Sequence, residues 1–302
     1  MAVDADFDKV ALLLHFDGAN GSTTFADSAL VPNTVTTYGG VVISTAQSKW
    51  GGASAYFDGT NYSYAAIQNS IEFDLAHQDF TIDAWVYFIA SGPSGAAIFG
   101  RWGIGPSTNT DFVLAIEGGK LVFIAGGTGG VALDATGALP GGAWVHVAVT
   151  RSGNVWTLWQ GGVAVAAQTS AFAIPYSPLR SLRISCWDDP LSFFRGYIDD
   201  LRITKGVARY TANFTPPTEP FPNTGAAYAL SGTVTGSTGS PAARAIRAIR
   251  EDTGAYVGGA ISDGVTGAFA INTEHPGEHT LVAYPVTGEN LPALVHRGVI
   301  PI

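Results

Sequence analysis

The sequence holds a single cysteine, Cys186, in 302 residues, so no internal disulfide can staple the fold. Charge is nearly as scarce. Asp, Glu, Lys and Arg make up 13% of the chain, well under the ~25% of ordinary soluble domains. Long surface helices draw on Lys and Glu, so few are expected. A surface this poor in charge points to burial in a homo-oligomer or a larger assembly. The net charge of −9 leaves no cationic face to grip phosphates. That excludes nucleic acid as an expected partner and disfavours an anionic membrane surface. No run approaches the roughly 18 apolar residues of a membrane span, so no membrane insertion is expected. The opening "MAVDADFDKV" lacks the basic-then-apolar plan of a signal peptide, and the expectation is a protein made in a reducing cytoplasm.

What the chain has instead is glycine, 38 of them, and short β-branched or aromatic runs cut by turn signals. "VALLLHF" closes on Asp17-Gly18, "ASAYF" on Asp58-Gly59, and "FTIDAWVYF" on Ser91-Gly92-Pro93. "WVHVAVT", "VWTLWQ" and "VAVAAQT" read as three strands joined by tight turns. No long segment of this half repeats its apolar residues at the helical period. The pattern predicts an all-β, antiparallel sandwich or barrel. Four prolines in "TPPTEPFPNTGAAYA" fix φ and cannot donate to a ladder, so residues 216–228 read as an extended linker. It separates a domain over 10–215, preceded by an arm of residues 1–9, from a smaller β-rich domain over 229–302. Within the latter, "PAARAIRAIRED" has the propensity of a helix, but its place between two turns favours a strand.

In order along the chain, "FDG", "SKWGGASAYFDG", "FTIDAWVYF", "WVHVAVTRSG" and "GYIDDLRITKGVARYTANFTPPTEPFP" resemble the laminin-G-like, concanavalin A-like jelly-roll domains of bacteriophage virion proteins. The likeness covers about residues 10–222. Residues 229–302 resemble a carboxypeptidase regulatory-like (transthyretin-like) β-sandwich, through "SGTVTGSTGSPAARAIRAIREDTGAYVG", "GAFAI" and "HTLVAY". The resemblance implies a virion location, as a tail or decoration protein, with other virion subunits and a host cell-surface glycan as partners. Alternatives are a carbohydrate-binding module of a polysaccharide-degrading system and a glucanase-like enzyme.

The enzyme alternative needs two carboxyls flanking a glycosidic bond. Before the linker only Glu72 and Glu117 are glutamates, and neither lies in the one-strand acidic motif of the related glucanases. Asp199 and Asp200 are adjacent, and strand alternation sends neighbours to opposite faces. No catalytic residue is therefore expected. The resemblance implies a structural Ca2+, and Asp17, Asp27 and Asp199 occupy motif positions that could supply hard oxygen ligands. For Asp17 the alternative is a turn, since Asp-Gly is also a favoured tight-turn pair. In jelly rolls the first and last strands commonly adjoin, which would bring Asp17 toward Asp199 or Asp200. Trp50, Trp85 and Trp144 are expected in the core, and one of Trp156 and Trp159 on an exposed sheet face. Trp102, Trp159 and Trp187, with Asp188 and Asp189, form the expected carbohydrate-binding surface, and protein contact is the alternative use of the same residues.

Overall fold

The computed structural model describes residues 3–60, 62–91, 95–102, 110–126, 129–175, 180–185, 194–225, 228–236, 239–284 and 293–302. The chain divides into two compact units, Lys9–Asn223 and Met1–Asp8 together with Thr224–Ile302. Both are antiparallel β-structure, as the turn-punctuated pattern predicts, and among the described residues the helices are two short 3₁₀ turns, Phe7–Lys9 and Ile71–Phe73.

The larger unit is a jelly-roll sandwich. Its strands are β1 (Val10–Leu14), β2 (Val35–Tyr38), β3 (Val42–Ser44), β4 (Ser54–Asp58), β5 (Tyr64–Ile67), β6 (Phe80–Ser91), β7 (Ala96–Trp102) and β8 (Thr110–Glu117). They continue with β9 (Lys120–Ala125), β10 (Val131–Ala138), β11 (Trp144–Ser152), β12 (Val155–Gln160), β13 (Val163–Thr169), β14 (Leu182–Ile184) and β15 (Phe194–Lys205). One sheet runs β13-β12-β11-β6-β15-β4-β3, with β1 also on β15; the other runs β10-β9-β8-β7-β14-β5-β2.

Alternation decides what each strand buries. In "FTIDAWVYF", Phe80, Ile82, Ala84 and Val86 enter the core between the sheets, which leaves Thr81, Asp83, Trp85 and Tyr87 on the outer face. The core is heavy in aromatics. Trp156 meets Phe80 and Phe123 at centroid distances of 5.5 and 6.2 Å. Each such buried side chain contributes about 1.5–3 kcal/mol through apolar area removed from water.

Strand β15 organises its sheet. Its whole length pairs with β6, its first half also with β4 and its second half with β1. Two irregularities interrupt the β6 ladder, at Arg195/Gly196 and between Asp199 and Arg202. At the second, Asp199 faces Trp85 and Arg202 faces Asp83, so one residue too many sits on β15. Asp200 takes the left-handed conformation there, at φ +46.

The proline-rich exit is not a free tether in its first part. Phe221 is buried, its N–H donates to Asp200 Oδ2 at 2.8 Å, and its ring lies 3.7 Å from the Arg202 guanidinium. Prolines supply stiffness, and interspersed aromatics supply the packing that a linker composition hides.

The smaller unit has β16 (Tyr228–Thr233), β17 (Ala245–Arg250), β18 (Tyr256–Ile261), β19 (Ala268–Thr273), β20 (His279–Ala283) and β21 (Leu294–Val299). They form a β16-β19 pair and a β18-β17-β20-β21 sheet around Leu230, Ile246, Ala248, Ile271 and Leu281. "AIRAIR" is a strand: Ile246, Ala248 and Arg250 are buried, and pairing with β18 and β20 overrides helix propensity. The N-terminal arm joins this unit through Asp4 N–H to Thr224 O at 3.0 Å and Asp8 to His275 Nδ1 at 3.1 Å.

Candidate functional site

The outer face of the β6/β15 sheet carries the chemistry of the larger unit. Side chains there fall into rows across the strands, because directly opposed residues share a face. One row is wholly aromatic: Tyr56 on β4, Tyr197 on β15, Tyr87 on β6 and Trp144 on β11 are successive cross-strand partners. Their centroids are 4.9, 5.8 and 5.6 Å apart, and all four are half-buried. Burial and the neighbouring Tyr56 push the Tyr197 hydroxyl above its ordinary value, so it stays a neutral hydrogen-bonding group. Exposed Arg195, opposite Asp58, flanks the row on one side. On the other side half-buried Lys49 holds its Nζ 3.9 Å from the Trp85 ring and 4.7 Å from Trp50. The result is a shallow strip of aromatic surface with hydroxyls along it and a cation on each side.

The rows behind it are sealed by the chain itself. Tyr210 and Phe214 stack at 3.7 Å, and both rings, with Phe221, stand edge-on to His146. Beneath them Asp83 accepts from Arg202 Nε (3.1 Å) and Nη2 (2.8 Å) and from the Tyr210 hydroxyl (2.8 Å). Burial opposes the Asp83 charge, yet Arg202 and His146 hold its carboxyl well below the usual carboxylate range.

Trp159 belongs to this sealed part. Its indole is 2% exposed, packs against Phe214, and donates from Nε1 to Thr150 Oγ1 at 2.9 Å. Alternation does put Trp156 and Trp159 on opposite faces, but the tail covers the outer one. The expected sugar contact at Trp159 is thereby corrected. Trp50 and Trp144, both expected in the core, are half-buried instead. The cross-strand row carries Trp144 on the outer face. Trp144 shares the face of His146 and Thr150, while Val147 and Val149 point inward. Trp85 is buried too, on that outer face and under Lys49 and Trp50. Trp187, Asp188 and Asp189 lie outside the described residues, as does the side chain of Trp102 at the end of β7.

The bulge changes the reading of the paired aspartates. It breaks alternation, and Asp199 and Asp200 are both 1% exposed near His15 at the end of β1. His15 Nδ1 lies 2.5 Å from Asp200 Oδ1. Burial works against the imidazolium, but Asp200, with Asp17 and Asp199 behind it, raises the His15 pKa. Burial likewise pushes Asp17 up. Asp199 Oδ2 accepts the Lys49 and Trp50 N–H groups at 2.8 and 3.1 Å, and Oδ1 accepts that of Asp200 at 2.9 Å. Asp27 is filled as completely: Leu13 and Ala29 N–H donate to Oδ1, Asn33 N–H and Nδ2 to Oδ2.

These contacts decide the calcium expectation. Asp27 and Asp199 are surrounded by positive N–H ends, and Asp17 has His15 as its neighbour, so the three do not offer oxygen lone pairs to one cation. Among the described residues no group of three or more His, Cys, Asp or Glu could hold a metal. The expected set does not fit the ion; Asp27 and Asp199 fasten loops to strands instead.

Burial pushes the Asp199 carboxyl from 3.8 up to about 7, against the Trp50 and Lys49 N–H groups. Between roughly pH 4 and 7 the folded state then keeps a proton that the unfolded chain has lost. Stability contributed by Asp199 is thus full below that window, falls as pH rises through it, and is level above it. Asp199→Asn has no such proton. The stability difference between parent and variant should shrink as pH rises from 4 to 7, by urea denaturation. Tryptophan fluorescence suits the measurement, because all seven indoles lie between Trp50 and Trp187 in the larger unit. An equal difference at pH 4 and 7.5 would mean that Asp199 is ionised throughout.

Residues 58–209 match the family model Laminin_G_3, described as the concanavalin A-like lectin/glucanases superfamily. Among solved structures, domain 4 of AbnA, a GH43 extracellular arabinanase from Geobacillus stearothermophilus in complex with arabinotriose, aligns at a TM-score of 0.51 and 21% identity. The alignment covers 66% of this chain and 93% of that one. The binding domain of botulinum neurotoxin DC in complex with rat synaptotagmin II aligns at 0.52 and 10% identity, over 98% and 94% of the two chains. The binding domain of Paraclostridial Mosquitocidal Protein 1 aligns at 0.51 and 14%, over 96% and 76%. At these identities the likeness is one of fold. Comparison with curated protein sequences finds no match.

Proposed function

The chain belongs to the concanavalin A-like lectin/glucanase superfamily, and from that premise we propose that it is a non-enzymatic, lectin-like binding protein of a bacteriophage virion, attaching the particle to a host cell-surface glycan. The observation that carries the binding reading is the row Tyr56–Tyr197–Tyr87–Trp144, a half-exposed aromatic strip of the kind on which pyranose rings stack. Absence of catalysis is supported by the carboxylates: Asp199 and Asp200 are buried and bonded to backbone N–H groups, out of reach of a glycosidic bond. The phage setting rests on the likeness of residues 196–222 to the phage-associated subgroup. A shallow strip binds weakly, and repetition on the particle, as a homo-oligomer among other virion subunits, supplies avidity.

The test is a glycan array probed with the full chain, followed by calorimetry on the best hit. Tyr87→Ala with Trp144→Ala should weaken binding at least about tenfold, with the fold intact by circular dichroism. Equal binding by the folded double variant would sink the strip as the site. No binding to any glycan, with co-purification on the particle, would instead make the protein a cement between subunits.

A further inference from the structure

The smaller unit has an unfilled interior along one side. Its two sheets connect at the corner where β18 turns into β19, closed by Asp263 N–H to Ala268 O at 2.8 Å. On the other side β16 and β21 are edges of their respective sheets. Between them opens a cavity of about 500 Å³, walled by Val234, Ile246, Phe269, Leu281, Ala283 and Leu294. The space is open to solvent on one side, a cleft that runs into the core of the unit. At its mouth Leu294 and Val295 are 52% and 56% exposed. The far edge of β16 meets the chain at Ala229, which exchanges hydrogen bonds with Ile302 at 3.0 and 3.1 Å. Among the described residues, no strand pairs that edge from Leu230 to Thr233 or the outer edge of β21, although the Gly298 N–H of β21 donates to Glu251 Oε1 at 2.7 Å.

We propose that this mouth is a strand-acceptor site, taking an extended segment of another protein, apolar at alternate positions, as an added strand between β16 and β21. Two open backbone edges flanking a largely apolar cavity specify that chemistry. A strand supplies the missing N–H and C=O partners, and every second side chain points into the space between the sheets. Pairing of two β21 edges from two copies would satisfy one edge but insert no side chain, leaving the cavity as it is. The inference concerns the smaller unit and is independent of glycan binding by the larger one.

The probe is a synthetic peptide of alternating threonine and valine, matched in length to β21 and added to the full chain. Hydrogen exchange should slow at amides in 230–233 and 294–299, and calorimetry should register binding. N-methylation of alternate peptide nitrogens, which keeps the side chains but removes strand pairing, should weaken binding at least about tenfold. Ala283→Phe, which plugs the cavity, should do the same, with the jelly roll's tryptophan unfolding transition unchanged. Absence of protection by the peptide overturns the proposal, and so does equal binding of the N-methylated form. Protection that appears on concentrating the protein alone would make a second copy the occupant and overturn it as well.

Discussion

Asp83→Ala is expected to destabilise the jelly roll by about 3–5 kcal/mol, the cost of removing one partner from a buried ion pair. Asp83 is fully enclosed and accepts three hydrogen bonds, two from Arg202 and one from Tyr210. Its loss strips Arg202, itself 4% exposed, of the carboxylate that balances its charge. It also frees the Tyr210 hydroxyl, and with it the fastening of the tail that covers Trp159 and His146. The pair as a whole is a different matter, because desolvation offsets most of its attraction. Asp83→Leu with Arg202→Met should therefore recover much of the stability lost by the single change, a coupling that a double-mutant cycle in urea would read directly. A loss below about 1 kcal/mol for Asp83→Ala would mean that water reaches Arg202 once the carboxylate is gone. In Asp83→Ala, tryptophan emission should shift to the red, as Trp159 loses its cover.

Much of this architecture is legible in the sequence, and the failures have physical causes. Periodicity two with Asp-Gly and glycine turns marks the strands, and the family motifs mark their order. The sequence also brings the first and last strands together: β1 does pair with β15, and His15 senses Asp17, Asp199 and Asp200 at once. Alternation tells which residues share a face, but it does not tell which face is covered. In "FTIDAWVYF" the polar Thr81 and Asp83 mark the outward parity, and Trp85 and Tyr87 share it. Reading the tryptophans by size alone sends Trp144 to the core. Following the parity from Asp83 finds the aromatic row.

Two other errors come from features that composition conceals. An inserted residue such as Asp200 costs one bulge, and one bulge is enough to cancel the argument that neighbouring strand residues diverge. A proline-rich segment reads as a spacer until Tyr210, Phe214 and Phe221 are seen upstream of and among its prolines. These rings turn the exit of the jelly roll into a cover over His146 and Trp159 on the outer sheet face.

Gly196→Ala is expected to cost about 3 kcal/mol or more and to take the aromatic row with it. Gly196 sits at φ +153, and a Cβ placed there would lie 2.2 Å from the Tyr87 carbonyl oxygen and 2.8 Å from the Phe194 ring. Neither neighbour can yield cheaply. The carbonyl is part of the β6 backbone against which β15 pairs, and Phe194 is wholly buried in the core. Relief requires β15 to move away from β6 at the point where Tyr197 meets Tyr87 and Tyr56. Stability and glycan binding should fall together in this variant, whereas Tyr87→Ala with Trp144→Ala separates them. Gly153→Ala is the matched control, because its Cβ would meet nothing within 4 Å, although φ is +58. There only the backbone preference is at stake, about 1–2 kcal/mol, and binding should be untouched. If Gly196→Ala proves no worse than Gly153→Ala in urea denaturation, β15 and β6 can part locally at the aromatic row. The row would then be a yielding surface, and rigid stacking against a sugar ring would lose its basis.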